Sequence, residues 1–169
     1  MTISGSTDFE LDVADYIEEA FERCGLEVRT GYDVRTATRS LNLMFADWAN
    51  RGLNRWTIEQ STLSLTSGTA TYSLPTDTIV ILSAVIRTGT GSTQSDTQIT
   101  RISRDAFINI PSKNTEAQPS QWYVDRQIAP TIKVWPTPNT SYTLVYDRLT
   151  RIEDADSSIN TLDVPFRFY

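Results

Sequence analysis

The sequence predicts an α+β protein: an N-terminal antiparallel helical hairpin (part of a helical bundle) plus an antiparallel β sandwich or barrel lobe, with a further helix starting near residue 163. Three observations carry this. Apolar residues recur at three- and four-residue steps through two stretches before Gly52. From Trp56 onward the pattern becomes short β-branched and Thr/Ser-rich runs divided by Gly and Pro turns. In the closing LDVPFRFY, Asp163 is placed as a cap and Pro165 in a first helical turn. The expected division is residues 1–55 as the hairpin, 56–150 as the β lobe, and 151–169 as a polar linker and helix start.

Residues 1–11 are polar and are expected to be mobile or to order only on a partner. The first helix should begin near Asp12 and stop at Gly25. Val13, Ile17, Ala20, Phe21 and Cys24 form its apolar stripe, and Cys24 reads as a small core residue. Glu18, Glu19 and Glu22 make the rest of its surface acidic. That is either a solvated face or one turned toward a basic partner or a DNA channel. The short link from Leu26 to Tyr32 predicts antiparallel packing with the next helix.

The second helix runs within Gly31–Gln60, GYDVRTATRSLNLMFADWANRGLNRWTIEQ. Asp33 is expected to accept first-turn N–H groups, and Gly52 to close the helix in a left-handed conformation. Val34, Ala37, Leu41, Met44, Phe45 and Trp48 make one apolar face. Arg35, Arg39, Asp47 and Arg51 fall outside it.

After Gly52, residues 58–74 read as a hairpin. IVILSAVIR over 79–87 reads as the central strand, and 97–102 as another. Ser103 should cap a helical turn closed by Pro111. A second hairpin turns at Ala129-Pro130, and SYTLVYDRL follows. The aromatics Trp122, Tyr123, Trp135, Tyr142 and Tyr146 read mainly as core or cross-strand pairs, with a sugar-binding platform as the minority reading.

Composition excludes several function classes. There is no histidine, so Ser-His-Asp, Cys-His and HExxH chemistry are out. The single cysteine rules out an internal disulfide. No Walker loop or GxGxxG is present. Asp154, Asp156, Ser158 and Asn160 alternate like calcium ligands. Ile159 and Pro165 stand where that loop needs Gly and Glu, so the stretch reads as a polar loop. No catalytic, cofactor or metal residue is expected, and the chain does not read as an enzyme. No apolar run is long enough to span a membrane, and the N-terminus does not read as a signal peptide. Charge is uneven. Residues 1–55 carry ten acidic and six basic side chains, 56–150 seven of each, and 151–169 four and two. Without a basic stripe, phosphate-driven DNA gripping is not expected.

The chain also resembles the head-to-tail adaptor (connector, or tail accessory) proteins of short-tailed bacteriophages. The likeness rests on the 31–60 block above, then GTATYSLPTDTIVILSAVIR, TRISRDAFINIPSKN, PSQWYVDRQ, KVWPTP and LTRIEDADSSINTLDVPFRFY, in that order. It implies a virion structural protein at the head–tail junction, assembled in the host cytoplasm. Copies would form a ring, typically dodecameric, beneath the portal protein. The ring would extend the DNA channel without sequence-specific binding and give a platform for tail nozzle or tail fibre proteins. The helical part would form the ring and contact the portal. Such proteins usually carry more helical sequence after a PFRFY-like block, sometimes ending in a tail that docks into the portal. Glu18, Glu19, Glu22, Arg35, Arg39, Arg51 and Arg55 are the expected inter-subunit or portal contacts. The alternative is a carbohydrate- or host-surface-binding tail module using the β-lobe aromatics.

Overall fold

The computed structural model describes residues 11–165. The chain forms two units: Met1–Trp56 with Arg151–Tyr169, and Thr57–Thr150.

In the first unit, α1 (Val13–Arg23) and α2 (Gly31–Arg51) make the helical hairpin. The Asp12 carboxylate accepts the Asp15 N–H at 2.8 Å. The Val13 and Ala14 N–H groups donate to the carbonyls of Asn160 and Ser158, both at 3.0 Å. The returning chain thus satisfies helix-end donors that local sequence leaves open. At α2 the cap is Thr30, not Asp33. Its hydroxyl accepts the Asp33 N–H, and the Asp33 carboxylate accepts the Thr30 N–H at 3.1 Å. Asp33 is therefore the third helical residue of a reciprocal capping box, one turn later than its expected role. Gly52 ends α2 at φ 66°, in the left-handed region where a side chain is strained.

Val13, Ile17, Phe45, Ile152 and Ala155 form this unit's buried core, with Phe21, Val34, Leu41, Trp48 and Leu162 packed against it. Trp48 lies 5.9 Å from the Phe45 ring and 6.4 Å, edge-on, from Trp56. The tail is pinned at two points. The Asn42 amide donates to the Ala155 carbonyl at 3.3 Å, and its oxygen accepts the Ala155 N–H at 2.8 Å. The Trp56 indole N–H donates to the Asp163 carbonyl at 2.9 Å. Residues 151–164 are thus a layer of the helical core. Cys24 is exposed, contrary to its core reading, because it sits at the C-cap beyond the part of α1 that α2 covers. Met44 is also exposed rather than buried. The helix expected near residue 163 would have its body at 166–169, outside the described residues.

The second unit is a two-sheet sandwich. One sheet has the order β1 (Ile58–Leu65), β10 (Tyr142–Thr150), β3 (Thr78–Thr88), β4 (Ser95–Gln98). The other has the order β2 (Thr71–Ser73), β8 (Thr131–Trp135), β7 (Gln121–Asp125), β5 (Thr100–Arg101). A small pair, β6 (Glu116–Ala117) with β9 (Thr137–Pro138), is parallel, as is β5 with β7. Leu65, Ile81, Ile86, Leu144 and Tyr146 of the first sheet meet Trp122, Ile132 and Val134 of the second in one core. The expected 58–74 hairpin does not form. Its two arms, β1 and β2, pair with β10 and β8 in different sheets. The turn after Leu65 carries the chain between layers, and the Tyr72 hydroxyl, which bonds Thr66 and Thr69, fixes that turn. Likewise the expected 97–102 strand breaks at buried Ile99, the corner where β4 passes to β5. Ser103 caps α3 (Arg104–Ile108), and β7–β8 is the second hairpin.

The two Asn42 hydrogen bonds set a direct expectation. Asn42→Ala should lower stability by about 1–3 kcal/mol, since it leaves both Ala155 backbone groups without that partner. Urea unfolding of the full chain, followed by tryptophan fluorescence, measures the change.

Candidate interaction surfaces

All seven charged residues singled out by the sequence belong to the helical unit and are exposed. Two are locally paired: Glu19 with Arg23 at 2.6 Å, and Arg51 with Asp47 at 2.9 Å. Such exposed i,i+4 pairs contribute only a few tenths of a kcal/mol. Glu18, Glu22, Arg35, Arg39 and Arg55 form no ion pair among the described residues. Arg35 and Arg39 come together with Asn42, Arg151, Asp154 and Asp156 along one groove between α2 and the tail. Arg151 is tied to Asp154 there. Glu18 and Glu22 lie on the side of α1 opposite its Val13–Ile17 core stripe. The hairpin therefore presents an acidic helix face and a separate arginine-lined groove.

A second feature was not legible beforehand. An apolar groove of about 640 Å³ runs between α1 and α2, lined by Tyr16, Ala20, Phe21, Tyr32, Leu41 and Met44. Tyr32 is 73% exposed. Ala20 and Met44 belong to the expected apolar faces, and here they line an open cleft. The stripe on α1 is wider than one neighbouring helix can cover, and the returning tail covers the other flank. Only the tail's position, which no local pattern encodes, shows which flank stays open.

The β lobe has a different character. Trp122 is buried and donates its indole N–H to the Ile99 carbonyl at 3.3 Å. Trp135 donates to the Ser112 carbonyl at 2.9 Å. Tyr123 stacks on Phe107 with ring centroids 5.7 Å apart. The Tyr142 hydroxyl donates to the Asn139 side chain, and Tyr146 is buried. Two of these rings are buried, and the other three are bonded or stacked within the lobe.

Several charges in this lobe are paired across strands. Arg148, 8% exposed, binds Glu59 at 2.6 Å and Asp77 at 2.7 Å, with Ser61 and Thr78 completing its donors. Burial opposes its charge, but the bonds to Asp77 and Glu59 outweigh that and raise its pKa. Burial also pushes the neighbouring Tyr146 phenol up. Arg87 holds Asp96 through two 2.8 Å bonds, which clasp β4 to β3.

The helical unit thus presents an open apolar cleft together with charges that form no ion pair among the described residues. The family model described as SU10 adaptor protein matches residues 8–169. The chain belongs to this family of phage head-to-tail adaptor proteins. No curated protein matches it. Its family places the adaptor among the structural components of the phage head–tail junction. Among its described residues, no helix is long and apolar enough to cross a membrane.

The clasp at Asp96 predicts a pH dependence. The Arg87 hydrogen bonds depress the Asp96 pKa below the ordinary carboxylate value. The stabilisation is therefore present above the unfolded-state pKa and is lost as pH falls through the lower, folded-state value. Carboxyl NMR titration should place the Asp96 midpoint below that of a free aspartate, and Arg87→Gln should return it toward the ordinary range.

Proposed function

We propose that the adaptor assembles head to tail as a ring beneath the portal protein, extends the DNA channel, and offers the platform to which tail nozzle or tail fibre proteins attach. The family match over residues 8–169 carries this reading. The helical unit adds physical support. A closed ring needs two different, complementary patches on each subunit. Glu18 and Glu22 on α1 and Arg35 and Arg39 in the groove have opposite charge, and none of the four is in an ion pair among the described residues. A net charge of −6 suits a conduit that DNA passes without being held.

The test mixes the purified chain with isolated portal rings and records particle mass and images, with the chain alone as control. One copy per portal subunit is the expected result. Absence of stoichiometric decoration overturns the proposal. The same assay probes the charged patches. Arg35→Glu with Arg39→Glu should weaken assembly at least tenfold, and adding Glu18→Lys with Glu22→Lys should restore it. Assembly untouched by the arginine reversals removes these residues from the interface.

A further inference from the structure

We infer that the sandwich contributes a second contact between neighbouring copies: β1 of one copy adds edge to edge onto β4 of the next. This rests on the ring reading above and names a seam in the β lobe that its charged patches do not predict.

The observation is an unguarded sheet edge. Edge strands expose a row of backbone donors and acceptors, and proteins normally blunt them with short length, Lys, Pro or bulges. The edges of the second sheet are short, with three residues in β2 and two in β5. β1 has eight residues, IEQSTLSL, with no Lys or Pro. Its register with β10 runs unbroken from Ile58↔Leu149 to Leu65↔Tyr142, so no bulge turns the edge away. Gln60, Thr62 and Ser64 are exposed. Besides its ladder to β10, the β1 backbone makes no backbone hydrogen bond among the described residues.

The opposite edge of the same sheet is its complement. All four residues of β4 are exposed, and its register with β3 is also unbroken. Each edge carries one charge, and each is already paired within its own sheet: Glu59 with Arg148, and Asp96 with Arg87. Neither edge therefore repels a strand. What remains on both is Ser, Thr and Gln, which pair favourably across strands in contact with water.

Direction selects the occupant. β1–β10, β10–β3 and β3–β4 are all antiparallel, so β1 and β4 point opposite ways. Copies placed side by side in the same orientation then bring β4 antiparallel to the neighbour's β1. Two β1 edges could also meet about a two-fold axis, but that contact closes at a dimer and cannot propagate.

Register narrows the test. Thr62, Val145, Val85 and Gln98 stand in one row across the sheet, so Thr62 and Gln98 share a face. If β4 overlaps β1 along its whole length and faces are kept, Gln98 falls opposite Ile58, Gln60 or Thr62. The experiment uses a Cys24→Ser background, removing the exposed native thiol. Gln98→Cys is combined in turn with Ile58→Cys, Gln60→Cys and Thr62→Cys, and each variant is oxidised as the portal-bound assembly. At least one combination should yield a ladder of covalently linked chains longer than a dimer, while no single-cysteine variant does. A β1 single-cysteine variant that gives dimers and stops there overturns the seam in favour of the two-fold contact. Normal assembly mass with no cross-link in any combination also overturns it, and leaves the ring reading standing. If the unmodified chain does not assemble on the portal, the ring reading fails and the seam with it.

Discussion

The β lobe depends on β10. This strand lies between β1 and β3, which do not pair with each other, so the first sheet has no centre until residues 142–150 arrive. Leu144, Val145, Tyr146, Arg148 and Leu149 are all buried on it. Arg148 then joins the strand to Glu59 and Asp77, residues from much earlier in the chain. Contacts this distant in sequence need loop closure before they contribute, so the local pieces are weak until the last strand docks. At the base of the lobe, Thr57 and Thr150 bond reciprocally, each hydroxyl donating to the other's carbonyl at 2.7 and 3.0 Å.

The segment after β10 does the same for the helical unit. Ile152 and Ala155 complete a core that α1 and α2 leave unfinished, and Asn42 fixes the tail by both backbone groups of Ala155. The carbonyls of Ser158 and Asn160 occupy the N–H groups at the start of α1. The alternating Asp154, Asp156, Ser158 and Asn160 thus belong to a stretch whose backbone serves as a helix cap. Both units are therefore completed by chain that follows Ser141 rather than by their own contiguous sequence.

Charge divides along the same lines. In the sandwich, Arg148, Arg87 and Lys133 each meet a carboxylate across the sheet. On the helical hairpin the pairs that form are exposed neighbours, and Glu18, Glu22, Arg35 and Arg39 are left over. An adaptor must hold its own shape while keeping surface for partner proteins. The cross-strand pairs of the sandwich serve the first demand, and the charges left over on the hairpin are available for the second.

Much of this was legible in the sequence, and the failures share a cause. The two helices, the stop at Gly52, the interior strand at 79–87, the Ser103 cap and the β7–β8 hairpin are set by periodicity, by the one residue free to adopt a positive φ, and by local turns. Those signals act over a few residues and survive in any context. The arms of 58–74 looked like a hairpin because both alternate and a turn lies between them. Which strand each would pair with is a competition over the whole chain, and β10 and β8 won it. Cys24, Ala20 and Met44 fit apolar stripes, yet a stripe says only that a face prefers burial, not that a neighbour reaches it. The arginine groove formed because the returning tail lies along α2, and the open edge of β1 exists because no later strand among the described residues covers it. The sequence alone determined the elements and their family. Tertiary structure alone decided which faces and edges remain for a partner, because exposure depends on what every other segment has already covered.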